Sequence, residues 1–175
     1  MKRIIALALS LMMILCAVCA LAEDTEKTEM GTLNVGQAFK IQSKIPEGYT
    51  FNPVTRTSLN MVGILSAGEE KPAVTISIAY NEDYAETERF NDVAEEIVEE
   101  IRESFREVDD KVTFEDLETA FGTRLLKVTG KGFVDIYTIY KGYELEFVMT
   151  GSELTDEDTQ MLVDIISDMD FVAIE

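Results

Sequence analysis

One stretch of the sequence, FVDIYTIYKGYELEFVM between Phe133 and Met149, restricts the possible folds more than any other. Two runs rich in Tyr, Ile, Val and Phe meet at Lys141-Gly142, which predicts a β-hairpin with a two-residue turn. Such a turn places one set of residues on a common face, which we predict to be core: Val134, Ile136, Thr138, Tyr140, Tyr143, Leu145, Phe147 and Met149.

The opposite face of this hairpin combines acidic with apolar residues. Its members are Asp135, Tyr137, Ile139, Glu144, Glu146 and Val148. A three-residue loop would shift the register by one residue and move Asp135 and Tyr137 to the face of Leu145 and Phe147. We prefer the two-residue turn because it keeps the acids together on one face.

Tyr137 has two interpretations on this acidic face. Beneath a covering helix it is ordinary core, which is the favoured interpretation. On an open face, an aromatic ring surrounded by acids suits a basic peptide or a sugar. The burial of Tyr137 therefore distinguishes the two.

The first 22 residues are typical of a bacterial secretory signal. Lys2 and Arg3 precede a nearly continuous apolar run, and Ala20-Leu21-Ala22 is a small-x-small site that predicts cleavage after Ala22. A transmembrane anchor is the alternative, but the apolar run is short for a span. A lipid anchor is disfavoured because the residues before Cys16 and Cys19 are not small. We expect a secreted protein with no membrane span in the mature chain.

Composition excludes several kinds of chemistry. Both cysteines leave with the signal and the chain has no His, so Ser–His or Cys–His catalysis and His or thiolate zinc sites are excluded. Removing Lys2 and Arg3 changes the net charge from −19 to −21. Such a surface repels nucleic acid and favours cations or basic partners. We predict no enzyme activity, no metal site and no cofactor.

The remaining pattern predicts a flexible acidic lead over residues 23–36 and one α+β domain over residues 37–175. Strands are predicted near residues 38–45, 59–66, 72–80, 112–119 and 121–129, besides the hairpin. A helix is predicted over Thr87–Arg106, with Thr87 as N-cap and an apolar stripe of Phe90, Val93, Ala94, Ile97, Ile101 and Phe105. Thr155 and Asp158 resemble a capping box that begins a second helix ending near Met169. About six antiparallel strands, flanked by helices, follow from this order.

One acidic cluster is not explained by structure alone. Asn81, Glu82 and Asp83, followed by Tyr84, lie in a loop between a strand and a helix, where binding sites are common. We treat these four residues and Tyr137 as candidate ligand or partner contacts. Oxygen ligands there suit Ca²⁺ or a glycan, although the cluster does not match an EF-hand. The other acidic clusters suit a solvated helix face or a helix N-terminus.

Three phrases of the sequence, AFKIQSKIPEGYTF, FGTRLLKVTG and FVDIYTIYKGYELEFVMTGS, resemble the PsbP/Mog1-like superfamily, and in particular its small secreted bacterial members. The resemblance covers about Gln37 to Val172. It implies an antiparallel sheet sandwiched between helices, an α/β/α sandwich that serves as a binding or assembly module and not as an enzyme. Metal binding through His and carboxylates, known in some members, is not carried over because this chain has no His.

These observations together predict a non-catalytic, extracytoplasmic binding or accessory domain. Its partner would be a protein or a component of the cell envelope, and the acidic surface favours a basic one. The alternative is a carboxylate-based site for Ca²⁺ or a glycan, with hydrolysis as its weaker form. A domain that mainly spaces or assembles is a third possibility, which a large oligomer interface would favour.

Overall fold

The computed structural model describes residues 32–35, 39–43, 45–57, 59–68, 71–151 and 153–173. The predicted signal peptide and most of the predicted acidic lead lie outside these residues. Among the helices that are described, none has the length and apolarity needed to cross a membrane.

The described chain forms ten strands and two α-helices, in agreement with the predicted α+β class. The strands are β1 (Thr32–Val35), β2 (Phe39–Gln42), β3 (Thr50–Arg56), β4 (Asn60–Ser66), β5 (Val74–Tyr80), β6 (Thr113–Glu118), β7 (Arg124–Gly130), β8 (Phe133–Tyr140), β9 (Tyr143–Thr150) and β10 (Asp170–Ala173). The helices are α1 (Glu95–Val108) and α2 (Asp156–Ser167), and short 3₁₀ turns lie at Glu82–Tyr84 and Phe90–Asp92.

Seven strands form one antiparallel sheet in the order β3-β4-β5-β9-β8-β7-β6. The predicted antiparallel sheet is therefore confirmed, and its seven strands roughly fit the expected number of about six. A second sheet has the order β1-β2-β10 and was not predicted as a unit. Its last strand follows the second helix and pairs with β2, more than 120 residues earlier in the chain, and no local pattern shows a pairing partner this distant.

The hairpin has the predicted two-residue turn and register. Tyr140 pairs with Tyr143, and Val134 pairs with Met149. Lys141 and Gly142 have φ angles of 50° and 78°, the left-handed region that such turns require at both positions. A side chain at Gly142 would also begin 3.2 Å from the main chain of Ala85, so this position needs glycine for space as well as for conformation.

The predicted core face of the hairpin packs against α2 and the small sheet. Leu162, Ile165 and Ile166 of α2 share a buried cluster with the hairpin. Phe39 of β2 makes edge-on contacts with the rings of Tyr140 and Tyr143, with centroids 4.9 and 5.4 Å apart. The capping box that begins α2 is confirmed, since the Thr155 and Asp158 side chains each bond the other residue's main-chain N–H.

The first helix begins eight residues later than predicted, at Glu95 instead of Thr87. The main chain that precedes this helix is hydrogen-bonded to the hairpin turn. The carbonyl of Thr87 accepts a hydrogen bond from the Gly142 N–H, and the carbonyl of Glu88 accepts one from the Lys141 N–H. Thr87 is therefore not an N-cap. Four residues of the predicted apolar stripe, Phe90, Val93, Ile101 and Phe105, pack in one cluster with the sheet, but Ala94 and Ile97 do not. Val98 is fully buried, whereas Ile97 is 39% exposed.

The other face of the hairpin packs beneath α1. Val98 and Ile101 share a second buried cluster with Leu126, Tyr137 and Ile139 of the sheet. The two helices thus contact opposite faces of the same hairpin.

Both edges of the large sheet carry features that interrupt strand pairing. The Asn52-Pro53 pair lies within β3, which continues through it, and a bulge shifts the register of this strand between Pro53 and Thr55. Proline is tolerated here because one side of an edge strand has no pairing partner. At the other edge, β6 exposes Glu115, Asp116 and Glu118.

Candidate functional site

Three carboxylates are buried on the sheet face beneath α1. Asp135, Glu144 and Glu146 are 5%, 6% and 8% exposed, and they lie on neighbouring strands β8 and β9. We call these three residues the acid cluster. Acids are seldom this buried unless their oxygens are paired, so each oxygen requires an account.

Within the acid cluster, Glu144 accepts a hydrogen bond at each of its two carboxylate oxygens. The hydroxyl of Tyr137 donates to its Oε1 at 2.8 Å, and Nδ2 of Asn81 donates to its Oε2 at 3.1 Å. Burial raises the pKa of Glu144, and these two hydrogen bonds oppose the rise. Burial, followed by the charge of Glu144, raises the pKa of Tyr84 to about 12. The structure thus brings Asn81, Tyr84 and Tyr137, three of the five predicted site residues, together around Glu144.

The other two predicted residues, Glu82 and Asp83, are exposed and do not join this group. The main-chain N–H of Asp83 donates to Oδ1 of Asn81 at 3.0 Å, a local bond that caps the 3₁₀ turn. Within the described residues, no three acidic side chains converge as a metal site would require. The loop therefore contributes Asn81 and Tyr84 to a buried network, while its two acids face solvent.

Tyr137 is core and not an open aromatic surface, as the favoured interpretation expected. It is 2% exposed, and its ring contacts those of Phe90 and Phe105 at centroid distances of 5.6 and 6.3 Å. An open-face contact with a peptide or sugar is thus incompatible with this arrangement.

Sequence reasoning missed Glu144 as the centre of the group. The alternation of the hairpin already put Glu144 and Tyr137 on one face, and this was the available signal. The contact with Asn81 depends on residues 81–88 folding over the hairpin turn, where the Asn81 N–H donates to the Gly142 carbonyl at 2.9 Å. No local pattern predicts that contact.

Asp135 and Glu146 are the members that lack full pairing. Oδ1 of Asp135 and Oε2 of Glu146 are buried without a hydrogen-bond partner. Burial raises the pKa of Asp135 to about 7, although a main-chain hydrogen bond from Phe147 opposes the rise. Burial and then the charge of Asp135 raise the pKa of Glu146 well above its usual value. Such a pair is expected to hold a proton at neutral pH.

A groove lies on the opposite side of the sheet, along α2. It consists of two adjoining cavities of about 410 and 760 Å³, which share Glu157 and Met161 in their walls. We call this the α2 groove. Partly buried apolar side chains line it, namely Ile45, Pro46, Leu154 and Met161, together with the buried Ile165.

The polar lining of the α2 groove is strongly acidic. Lys71 is the one basic side chain among its described lining residues. Its Nζ lies 5.7 Å from the centre of the Tyr49 ring. Hydrogen bonds from Thr155 lower the pKa of Asp158, which is therefore ionised at neutral pH. The acids of the groove are Glu153, Glu157, Asp158, Asp164 and Asp168.

Comparison of the chain with protein-family models, curated proteins and solved structures gives no match.

Proposed function

We propose that this protein is a non-catalytic, extracytoplasmic binding or accessory domain, and that the α2 groove holds a basic segment of a protein partner. The observation that carries the proposal is the combination of an apolar lining with five acids in one groove. A partner segment with both Lys or Arg and apolar side chains complements these two features.

The two features of the groove have separate physical roles. Burial of apolar groups supplies affinity, at roughly 25 cal/mol for each Å² removed from water. Acidic side chains select the sign of the partner's charge and accelerate its approach. The net charge of −19 acts in the same direction over the whole surface.

The arrangement of the helices supports a more specific fold. Helix α1 packs on one face of the central hairpin, and helix α2 packs on the other. These positions of the two helices support, as part of the proposal, an α/β/α sandwich of PsbP/Mog1 type, whose members serve as binding or assembly modules. We infer membership of that superfamily from this layering and from the sequence resemblance. The signal-like first 22 residues support export from the cell.

The alternative function, a Ca²⁺ or glycan site in the loop from Asn81 to Tyr84, has weaker support. Asn81 is engaged by Glu144 and by the main chain of Asp83, and Tyr84 is buried. The buried acids lie on the sheet face opposite the α2 groove, so the described geometry does not expose them to a glycosidic substrate.

A defined peptide tests the α2 groove. We expect a twelve-residue peptide of alternating Lys and Leu to shift the NMR signals of α2 and of Ile45 in the purified protein. A matched peptide with Glu in place of Lys should not shift them. Added salt should weaken the binding, because the attraction between exposed charges is screened.

Charge reversal separates binding in the groove from attraction to the whole acidic surface. The variant Glu157→Lys/Asp164→Lys should weaken peptide binding at least about tenfold, since it places two positive charges in the groove that repel the lysines of the peptide. The control is Glu100→Lys/Glu107→Lys, which makes the same change at the same spacing on exposed positions of α1. Equal weakening in both variants would contradict the proposal.

A further inference from the structure

The unpartnered oxygens of Asp135 and Glu146 are not explained by the proposed function, because they lie on the other face of the sheet. The two residues occupy adjacent strands in diagonal positions: Asp135 pairs with Val148, two residues beyond Glu146 on β9. Side chains in this relation are within reach of each other. Two carboxyl groups placed together away from water cannot both ionise without a large energetic cost.

Among the residues that the structure describes, no positive charge lowers the pKa of either carboxyl group of the pair. On β5, the neighbouring residues Thr75 and Ser77 are neutral. The acidic or phenolic groups nearby are Glu144, Tyr137 and Tyr84, and the charge of Glu100 on α1 reaches Tyr84. The arginines of this side form ion pairs with other acids: Arg102 with Glu99 and Asp116, Arg106 with Glu99 and Glu103, and Arg124 with Glu95 and Asp116. Nε of Arg102 is buried without a hydrogen-bond partner, but no arginine lowers the pKa of Asp135 or Glu146.

The geometry points to a pH-operated element: Asp135 and Glu146 hold one proton between them, and loss of that proton releases α1 from the sheet. Asp135 lies between Phe133 and Tyr137 on its strand and pairs with Val128, and these three neighbours belong to the buried cluster that packs with α1. A second negative charge at this place would draw water into the cluster. Opening α1 would admit that water, because α1 covers this face.

The direction of the pH effect follows from the protonation states. Burial raises the pKa of both carboxyl groups in the folded protein, so the folded state binds more protons than the unfolded chain. The contribution of this pair to stability is therefore fully present below the unfolded values near 4, and it is lost as the pH rises through the raised pKa values, about 7 for Asp135. This pH dependence is the opposite of that given by a salt-bridged carboxylate, whose contribution to stability is lost as the pH falls.

Hydrogen exchange at pH 6 and pH 8.5 tests the inference, after correction for the chemical exchange rate at each pH. We expect the amides of α1 to lose about tenfold in protection at pH 8.5. Helix α2, on the opposite face, is the internal control and should lose much less. In the double variant Asp135→Asn/Glu146→Gln, the protection of α1 should become independent of pH, because both buried acids are removed. Each single variant keeps one acid whose pKa is raised by burial, so it should lose less protection than the wild-type protein at pH 8.5, and either one tests the inference if the other does not fold.

Two further measurements keep the result unambiguous. The exposed-residue variant Glu96→Gln should retain the pH response of the wild-type protein. Carbon-13 NMR of the carboxyl groups in the wild-type protein should show at least one of the pair titrating above pH 6. Ordinary titration of both groups near pH 4, or equal protection of α1 at the two pH values, would overturn the inference.

Discussion

Glu144 and Asn81 are separated by 63 positions in the chain, yet their side chains meet at 3.1 Å. The sequence was sufficient to place Glu144 on the same hairpin face as Tyr137, because side chains alternate strictly along a strand. It was not sufficient to show that Asn81 supplies the second hydrogen bond. That contact is set by the main-chain bonds between residues 81–88 and the hairpin turn.

A first prediction concerns the hydroxyl of Tyr137. Tyr137→Phe would leave Oε1 of Glu144 buried without its donor, so we expect a loss of about 1–3 kcal/mol in the free energy of unfolding. Urea denaturation of the purified protein measures this loss. Tyr80→Phe is the matched control, because Tyr80 is only partly buried and no hydrogen bond of its hydroxyl is described. Equal losses in the two variants would show that the Tyr137 bond contributes nothing specific.

At the scale of elements, the two helices contrast in how they begin. The capping box of α2 was predicted from Thr155 and Asp158 and is present with bonds of 2.6–3.1 Å. Helix α1 begins after Ala94, which makes no side-chain capping bond. Thr87 looked like a cap in the sequence, but the hairpin turn takes its carbonyl group, and a tertiary contact thereby overrides local preference.

The missing cap of α1 gives a second prediction. Ala94→Ser should stabilise the protein by about 0.5–1 kcal/mol. The hydroxyl of the introduced side chain can accept a hydrogen bond from a main-chain N–H of the first helical turn. Ala94 has φ and ψ of −62° and 143°, an extended conformation suited to an N-cap. Thermal or urea denaturation measures the gain. Thr155→Ala at the start of α2 should cause a comparable loss, and a stabilising effect there would contradict this account of capping.

At the scale of the whole molecule, the sequence predicted the α+β class, the antiparallel pairing and most of the large sheet. Each of these follows from alternation, turns and helical periodicity within short windows. The three-stranded sheet was missed because it joins residues near both ends of the described chain, β1 and β2 with β10. The α2 groove was missed for the same reason, since Ile45, Lys71 and Met161 come from three separate segments.

The response of the melting temperature to divalent cations is a property of the whole molecule. We expect Ca²⁺ and Mg²⁺, at matched ionic strength, to raise the melting temperature equally, because both screen the repulsion of a chain with net charge −19. Thermal melts begun in EDTA provide the measurement. A rise specific to Ca²⁺ that Asp83→Asn abolishes would favour the Ca²⁺ site instead.

The two edges of the large sheet limit how another protein can be recognised. Pro53 lacks an N–H and the bulge after it bends β3, while the exposed acids of β6 disfavour a neighbouring strand. Strand addition, in which a peptide extends a sheet through main-chain hydrogen bonds, is therefore disfavoured at both ends. A partner that contacts this sheet at its edges has to be recognised through its side chains, so its amino-acid sequence matters more there than its ability to become extended.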